Sequence, residues 1–408
     1  MNFLLFSLKK FVVMFDNCHS NLSLSKKIYL IVYFFFVAII MIDPTNSLFH
    51  LKDLAFIAFM LFSFFLQKCS FSKVPASYFL MLIFCAFLSI SMGNLFFNTD
   101  IAYCFPYFRA LLVVLTFFPL SALSVRELLK YNFYCSFALS LLISGLYLAI
   151  LFGFIDFQTF YDQSIENNST VIIAERQFLN LDIPMFYYKS MPFCFFGLIY
   201  ALRKGKIIAT VTQFYAILLA GSRTPILIAL TIILYVFYQR YKHYLKYVII
   251  LIGVGGLGKL LSLLLSNEYL DSGDELKFKT VSQLIDYSSP IGHGVGAPYW
   301  SSSLGQMVTS SEVTYFEMLY QYGWLLYPIV LCVFFVPFLK LFNRKNVVDV
   351  RDFAFVYLMY LVNAGTNPLL FNSTGMFVFA CCLTILSKNT TNRGIIWQDR
   401  KIIQKTRI

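Results

Sequence analysis

Apolar runs of membrane-spanning length recur along this whole chain, separated by short linkers rich in lysine and arginine. A helix that crosses a bilayer needs roughly 20 predominantly apolar residues. Within hydrocarbon, only helices and closed barrels satisfy their own backbone polar groups. Twelve runs qualify as spans, at about 28–42, 54–66, 77–92, 101–123, 133–155, 185–202, 207–220, 225–238, 247–265, 323–339, 353–367 and 369–386. The shorter ones are expected to extend into their flanks. Charged residues make up only 13% of the chain, against about a quarter in soluble globular proteins. The expected fold is an all-α polytopic membrane protein of about twelve transmembrane helices, a single domain over 1–408.

Charge placement gives the orientation. The net charge of +12 would suggest nucleic acid in a soluble protein, but here the basic residues sit between spans. The positive-inside rule is the better explanation, and no nucleic-acid partner is expected. Threading from a cytoplasmic N-terminus leaves 24 of 32 basic residues inside and 15 of 20 acidic residues outside. Both termini are then cytoplasmic, with a basic tail at 387–408. Met1 to Phe15 is apolar but interrupted by Lys9 and Lys10, and reads as an interfacial segment rather than a signal peptide. Two large loops face outward, at 156–184 and 267–322, and neither contains a cysteine, so no disulfide framework holds them. Inner connections are short, with no nucleotide-binding or regulatory domain. Any chemistry is therefore expected outside the cytoplasm or within the membrane.

Several motifs bear on that chemistry. Gly253 to Lys259 has the glycine and lysine spacing of a phosphate-binding loop, but Leu260 stands where a Ser or Thr would ligate magnesium. Close helix packing through small residues explains the glycines better. Lys259 and Arg109 fall roughly 9 and 12 Å inside the outer ends of their spans, at 1.5 Å per residue. A cation at that depth marks a pairing or a pathway unless it snorkels to the interface. Arg223, in the short outer turn Gly221-Ser222-Arg223-Thr224-Pro225, breaks the charge rule. It stands beside a helix N-terminus, which suits phosphate; a lipid-headgroup anchor is the alternative. In the first large loop Arg176, Asp182 and Lys189 are the charges nearest the next span. In the second, the turn Gly292-His293-Gly294-Val295-Gly296 allows a backbone that could approach a ligand, and His293 could exchange protons near neutral pH. Ser310-Ser311-Glu312 then precedes a pattern that suits an amphipathic helix, with Ser311 as its N-cap. Glu312 and Glu317 lie about 140° apart around such a helix, so at most one faces a common site. No metal-ligand constellation is visible, and neither a metal nor a cofactor is expected.

Three stretches carry a family resemblance: Gly221-Ser222-Arg223-Thr224 opening a span; the Gly-rich turn and large outer loop ending in Tyr315-Phe316-Glu317-Met318-Leu319 and Gly323; and Thr366-Asn367-Pro368-Leu369-Leu370-Phe371 with Ser373-Thr374-Gly375. With these, the chain resembles the bacterial O-antigen polymerase (Wzy-type) family, within the O-antigen ligase and polymerase superfamily. The resemblance implies a GT-C-like glycosyltransferase in the bacterial inner membrane. Its substrates would be undecaprenyl-pyrophosphate-linked oligosaccharides, and its neighbours membrane lipids, a chain-length regulator and a flippase. Ligase-like members have His-Asn where this chain has Glu312-Val313, which would make Glu312 the base, with His293 and Glu317 behind it. Arg223 would stabilise the pyrophosphate leaving group, with Arg176, Lys189, Arg109 and Lys259 as further substrate-binding cations. A flippase for the same lipid-linked unit, and the ligase itself, are the alternative readings.

Overall fold

The computed structural model describes residues 23–43, 51–67, 69, 72–158, 171–178, 181–240, 272–301, 305–309, 313–343, 348–367 and 369–388, with backbone alone at 172–178, 181–184 and 272–276. In chain order its elements are α1 (Leu24–Ile42), α2 (Leu51–Leu66), α3 (Lys73–Phe97), α4 (Ile101–Leu120), α5 (Val125–Leu151), β1 (Val171–Phe178) and β2 (Leu181–Tyr188). There follow α6 (Cys194–Lys204), α7 (Ile207–Leu219), α8 (Arg223–Arg240), α9 (Ser272–Asp286), β3 (Tyr299–Ser301), β4 (Gln306–Val308), α10 (Thr314–Phe342), α11 (Val348–Ala364) and α12 (Ser373–Ser387). Helices α1, α3, α4, α5 and α10 are long and apolar enough to cross a membrane. The protein is membrane-embedded, multi-pass and predominantly helical.

Eleven of the twelve expected apolar runs hold a described helix, and most of these helices extend into the flanks as expected. The remaining run, 247–265, lies outside the described residues, as do Met1 to Phe15 and most of the basic tail. One boundary needs correction. The run expected as a span from 185 begins as strand, because Val171–Phe178 pairs antiparallel with Leu181–Tyr188 in a continuous register. An apolar run of this length does not reveal its period, and here Phe186, Tyr187 and Tyr188 are buried as strand residues. Helix begins only after a 3-10 turn at Met191–Phe193. A second hairpin pairs β3 with β4, so the segments expected as large loops carry strands and the fold, though predominantly helical, is not strictly all-α.

Polar bonds between helix ends sort the bundle into two ends. At one, Lys26 at the start of α1 bonds Glu127 at the start of α5 (2.5 Å). Arg203 at the end of α6 makes a fork-like pair with Asp352 near the start of α11 (2.6 and 2.7 Å). Arg351 reaches Gln239 at the end of α8, and Lys340 near the end of α10 reaches Tyr78 near the start of α3. At the other end, Tyr188 and Ser190 donate to the carbonyls of Ile42 and Met41 at the end of α1. There too Tyr315 at the start of α10 donates to Leu361 near the end of α11 (2.6 Å). Successive helices α1 to α8 therefore alternate in direction, and so do α10 to α12. We call the first the basic end and the second the far end. Between them, Tyr33 donates to Asn132, and Asn132 to Cys381; such interhelical bonds contribute about 0.6–2 kcal/mol each.

Helix α10 is broken at Gly323, whose φ of 69° and ψ of 169° fall in a region essentially restricted to glycine. In an unbroken helix the N–H groups of Trp324 and Leu325 would bond the carbonyls of Tyr320 and Gln321. Instead those carbonyls accept from the N–H groups of His293 and Gly294 (3.0 and 3.1 Å). Trp324 and Leu325 donate to the carbonyls of Ser289 and Pro290 (3.2 and 3.1 Å). The segment 289–294 thus takes the place of the missing helical turn for these four backbone groups. The approach is close enough that a Cβ on Gly323 would lie 2.2 Å from the Gly292 nitrogen, and one on Gly292 would lie 2.3 Å from the Gln321 oxygen. Ser89 of α3 and Thr99 after it donate to the carbonyls of Gln321 and His293, tying the joint to a third helix.

Gly323→Ala should therefore cost more than backbone strain of about 1–3 kcal/mol. Gly305, also at positive φ (63°), has nothing within 4 Å of its would-be Cβ. Thermal unfolding in detergent should show a much larger fall in Tm for Gly323→Ala than for Gly305→Ala. Equal losses would contradict the close-packed joint.

Candidate functional site

The far end holds a polar group built on the first turns of α10. Glu317 is buried, only 4% exposed, three residues after Thr314 opens the helix. Gln321 follows one turn later on the same face. Its Nε2 donates to Glu317 Oε1 (2.9 Å) and to the Tyr107 hydroxyl (2.8 Å). Tyr107, on α4, in turn donates to Glu317 Oε1. Gln321 Oε1 and the Tyr322 hydroxyl are buried and find no hydrogen-bond partner among the described residues. Phe371 packs beside both Tyr107 and Tyr322, with ring centroids 5.6 and 6.3 Å away. Two donors fix the Glu317 carboxyl in one orientation, with an unmatched acceptor one turn away. A carboxylate held this way can accept a proton or a hydrogen bond from a hydroxyl brought to it.

His293 adjoins this group through Tyr320. Its ring stacks on Tyr320 at 4.2 Å and lies 4.0 Å from Phe97 on the other side. Burial between these rings lowers its pKa. The Gly-rich turn was expected to free a backbone for a ligand. In the structure the room left by Gly292 is taken by the protein's own main chain at the break in α10.

The cations expected around the site are placed differently. Residues 107 and 109 are two apart, about 200° around a helix, so α4 turns Tyr107 toward α10 and Arg109 toward α2, where it pairs with Asp53. Lys189 follows β2, half-buried, and burial lowers the pKa of its amine. Arg223 opens α8, and the preceding Gly221 packs against Met185 of β2. Lys189 and Arg223 thus belong to the β1–β2 side of the far end. Arg176 pairs through its backbone with Ile183; Glu312, Ser311 and Lys259 lie outside the described residues. Helix α10 is capped by Val313 without a side-chain bond, in place of the expected Ser311 cap. Its first nine residues, at the end of the stretch read as the second large loop, are helical, as the amphipathic pattern there suggests. Sequence reading passed over Tyr107 and Gln321. The spacing of Gln321 from Glu317 was a usable signal, whereas nothing local marks Tyr107.

A cavity of about 30 Å³ lies at the basic end, beside Asn132, Tyr200, Arg203, Lys204, Asp349 and Asp352. It has room for water rather than for a substrate, and it is remote from Glu317. Among the described residues no cluster of three His, Cys, Asp or Glu side chains could hold a metal ion.

If Tyr107, Glu317 and Gln321 act as one unit, Tyr107→Phe and Glu317→Gln should be non-additive in Tm, with a coupling of about 0.5–3 kcal/mol. Additive effects would dissolve the unit. The histidine yields a pH dependence. Its folded pKa lies below the ordinary 6.5, so the unfolded chain binds the proton more readily. The neutral ring's contribution is present above that value and is lost as the pH falls through the lowered folded pKa, so Tm should drop as the pH is taken below about 6.5. His293→Gln should flatten that drop, and an unchanged slope would exclude His293 as its source. The chain matches no protein-family model, no curated protein and no solved structure.

Proposed function

We propose that this chain is a membrane glycosyltransferase that polymerises undecaprenyl-pyrophosphate-linked oligosaccharide repeat units at the outer face of the bacterial inner membrane. The observation that carries the reading is the oriented carboxylate of Glu317, buried among the helices at the far end. Ionisable groups buried in membrane helices are costly and serve function by default. Charge placement supports the orientation: Lys26, Lys204, Lys206, Arg240, Lys340 and Arg351 collect at the basic end, which is then cytoplasmic. Support for twelve spans comes from the chain path. Helix α8 finishes at the basic end, while α9 packs on the start of α10 at the far end through Leu284 and Tyr320. The apolar run 247–265, which lies between them in the sequence, has about the length a bilayer crossing needs.

In this reading the acceptor sugar hydroxyl gives its proton to a carboxylate, its oxygen attacks the anomeric carbon of the growing glycan, and the lipid pyrophosphate leaves. Glu312 remains the first candidate for the base and Glu317 the second. A positioned base contributes about 10²- to 10⁴-fold. The leaving group carries its negative charge at the membrane surface and calls for cations. Arg223 is the first of these, with Lys189 on the same side and Arg176, Arg109 and Lys259 behind.

Deleting the gene should leave surface glycan with a single repeat on its core when run on a gel. Loss of all repeats would point to a flippase or a ligase and overturn the proposal. Arg223→Ala should collapse polymer length at unchanged protein abundance, with little recovery in Arg223→Lys, because a point charge cannot reproduce a guanidinium fork. Glu312→Gln and Glu317→Gln distinguish the two carboxylates: the base is the one whose loss abolishes polymer, and full polymer in both variants would remove a carboxylate from the mechanism.

A further inference from the structure

We propose that α9 is an interfacial helix lying in the lipid headgroup layer at the far end, with Phe278 and Ile285 immersed in the bilayer. At about 100° per residue, Thr280, Val281 and Leu284 share one face of α9. Thr280 and Leu284 are buried, and Leu284 and Val281 pack with Ala297, Tyr299, Val313 and Tyr320. Phe278 and Ile285 lie within about 20° of each other and roughly 120° from Leu284 on the same wheel. They are 70% and 45% exposed, so they form a second apolar face that the described residues leave largely bare. Lys279, Ser282 and Asp286 are exposed on the remaining arc. A helix with one face on its own core, one bare apolar face and one polar face has the division expected at a membrane surface.

What identifies lipid as the occupant is continuity with the membrane-facing surface of α10. Ser288, just past α9, donates to the Ile285 carbonyl (2.7 Å) and accepts from the Trp324 indole nitrogen (2.8 Å). Trp324 and Leu325 begin the spanning half of α10 and are 57% and 66% exposed. A tryptophan with its ring outward and its N–H tied to a polar partner is a common anchor at the membrane–water boundary. The end of the bare α9 face is therefore fastened to the residue that marks that boundary, and exposed Tyr287 sits between them. Through its other face α9 packs on Tyr320, next to the joint that sets the position of Gln321. Lipid contact at Phe278 would thus hold the wall of the candidate site at a fixed depth.

The test places p-benzoylphenylalanine at 278, 285 or 283 in the full chain, reconstituted in phospholipid nanodiscs, followed by ultraviolet crosslinking. Positions 278 and 285 should give lipid adducts roughly ten-fold above position 283, which lies on neither apolar face, as expected for a partly immersed helix. Equal, low lipid adducts at all three would overturn the proposal, and so would capture of a second copy of the chain at 278. Labelling of the unmodified protein with a membrane-dissolved diazirine guards against a misfolded variant. The peptide containing 277–287 should be modified, and its absence from the labelled peptides would overturn the proposal independently.

Discussion

Buried backbone polar groups must find partners, and this requirement governs the break in α10. The break separates the carbonyls of Tyr320 and Gln321 and the N–H groups of Trp324 and Leu325 from their helical partners, and a buried polar group left unpaired costs about 1–3 kcal/mol. The segment 289–294 pairs all four, and Ser89 and Thr99 bind α3 and its following turn to the same joint. The glycine at 323 is required twice over, by its dihedral angles and by the main chain of Gly292 against it. The position of the first three turns of α10, and so of Glu317 and Gln321, rests on this exchange of hydrogen bonds.

The ion pairs act on a larger scale. Lys26–Glu127, Arg203–Asp352 and Arg109–Asp53 each join helices distant in sequence. Lys26–Glu127 and Arg109–Asp53 keep access to water, so screening leaves them little net stability. Breaking Arg203–Asp352 would instead leave the Asp352 carboxylate, only 7% exposed, buried without its partner. Glu127 shows the economy of the arrangement. It completes a capping box with Ser124 at the start of α5 and also receives Lys26.

At the far end the same logic separates the polar groups into two sets. Arg109 is engaged by Asp53 on α2, while Tyr107, two residues earlier, is engaged by α10. The hairpin β1–β2 carries Lys189 directly after it and supports the turn before Arg223 through Met185. A substrate with an anionic lipid end and a hydroxyl-bearing sugar end would need both kinds of surface, cationic on the hairpin side and carboxylate on the α10 side. That division, with both surfaces at the end opposite the basic linkers, is why lipid-linked sugar chemistry is the reading we favour.

Much of the fold was legible because the membrane imposes a strong, local rule: a span must be helical and apolar, and its cytoplasmic flank is basic. The apolar helices, their approximate limits and the charge division between the ends follow from the sequence alone, whereas α9, inside the stretch read as a loop, does not. So does the placement of Glu317 near the start of a helix. The strand at Leu181–Tyr188 was hidden because a short apolar run has no visible period, and pairing with Val171–Phe178 decides it. The role of Gly292 and Gly323 was hidden because each is explained only by the other, 31 positions away in the chain. Tyr107 lies 210 residues from Glu317, and no local pattern links them. Local physics thus settled which segments are helices and which end they favour. Packing between distant segments decided where a helix breaks, which cation is already engaged and which side chains surround the buried carboxylate.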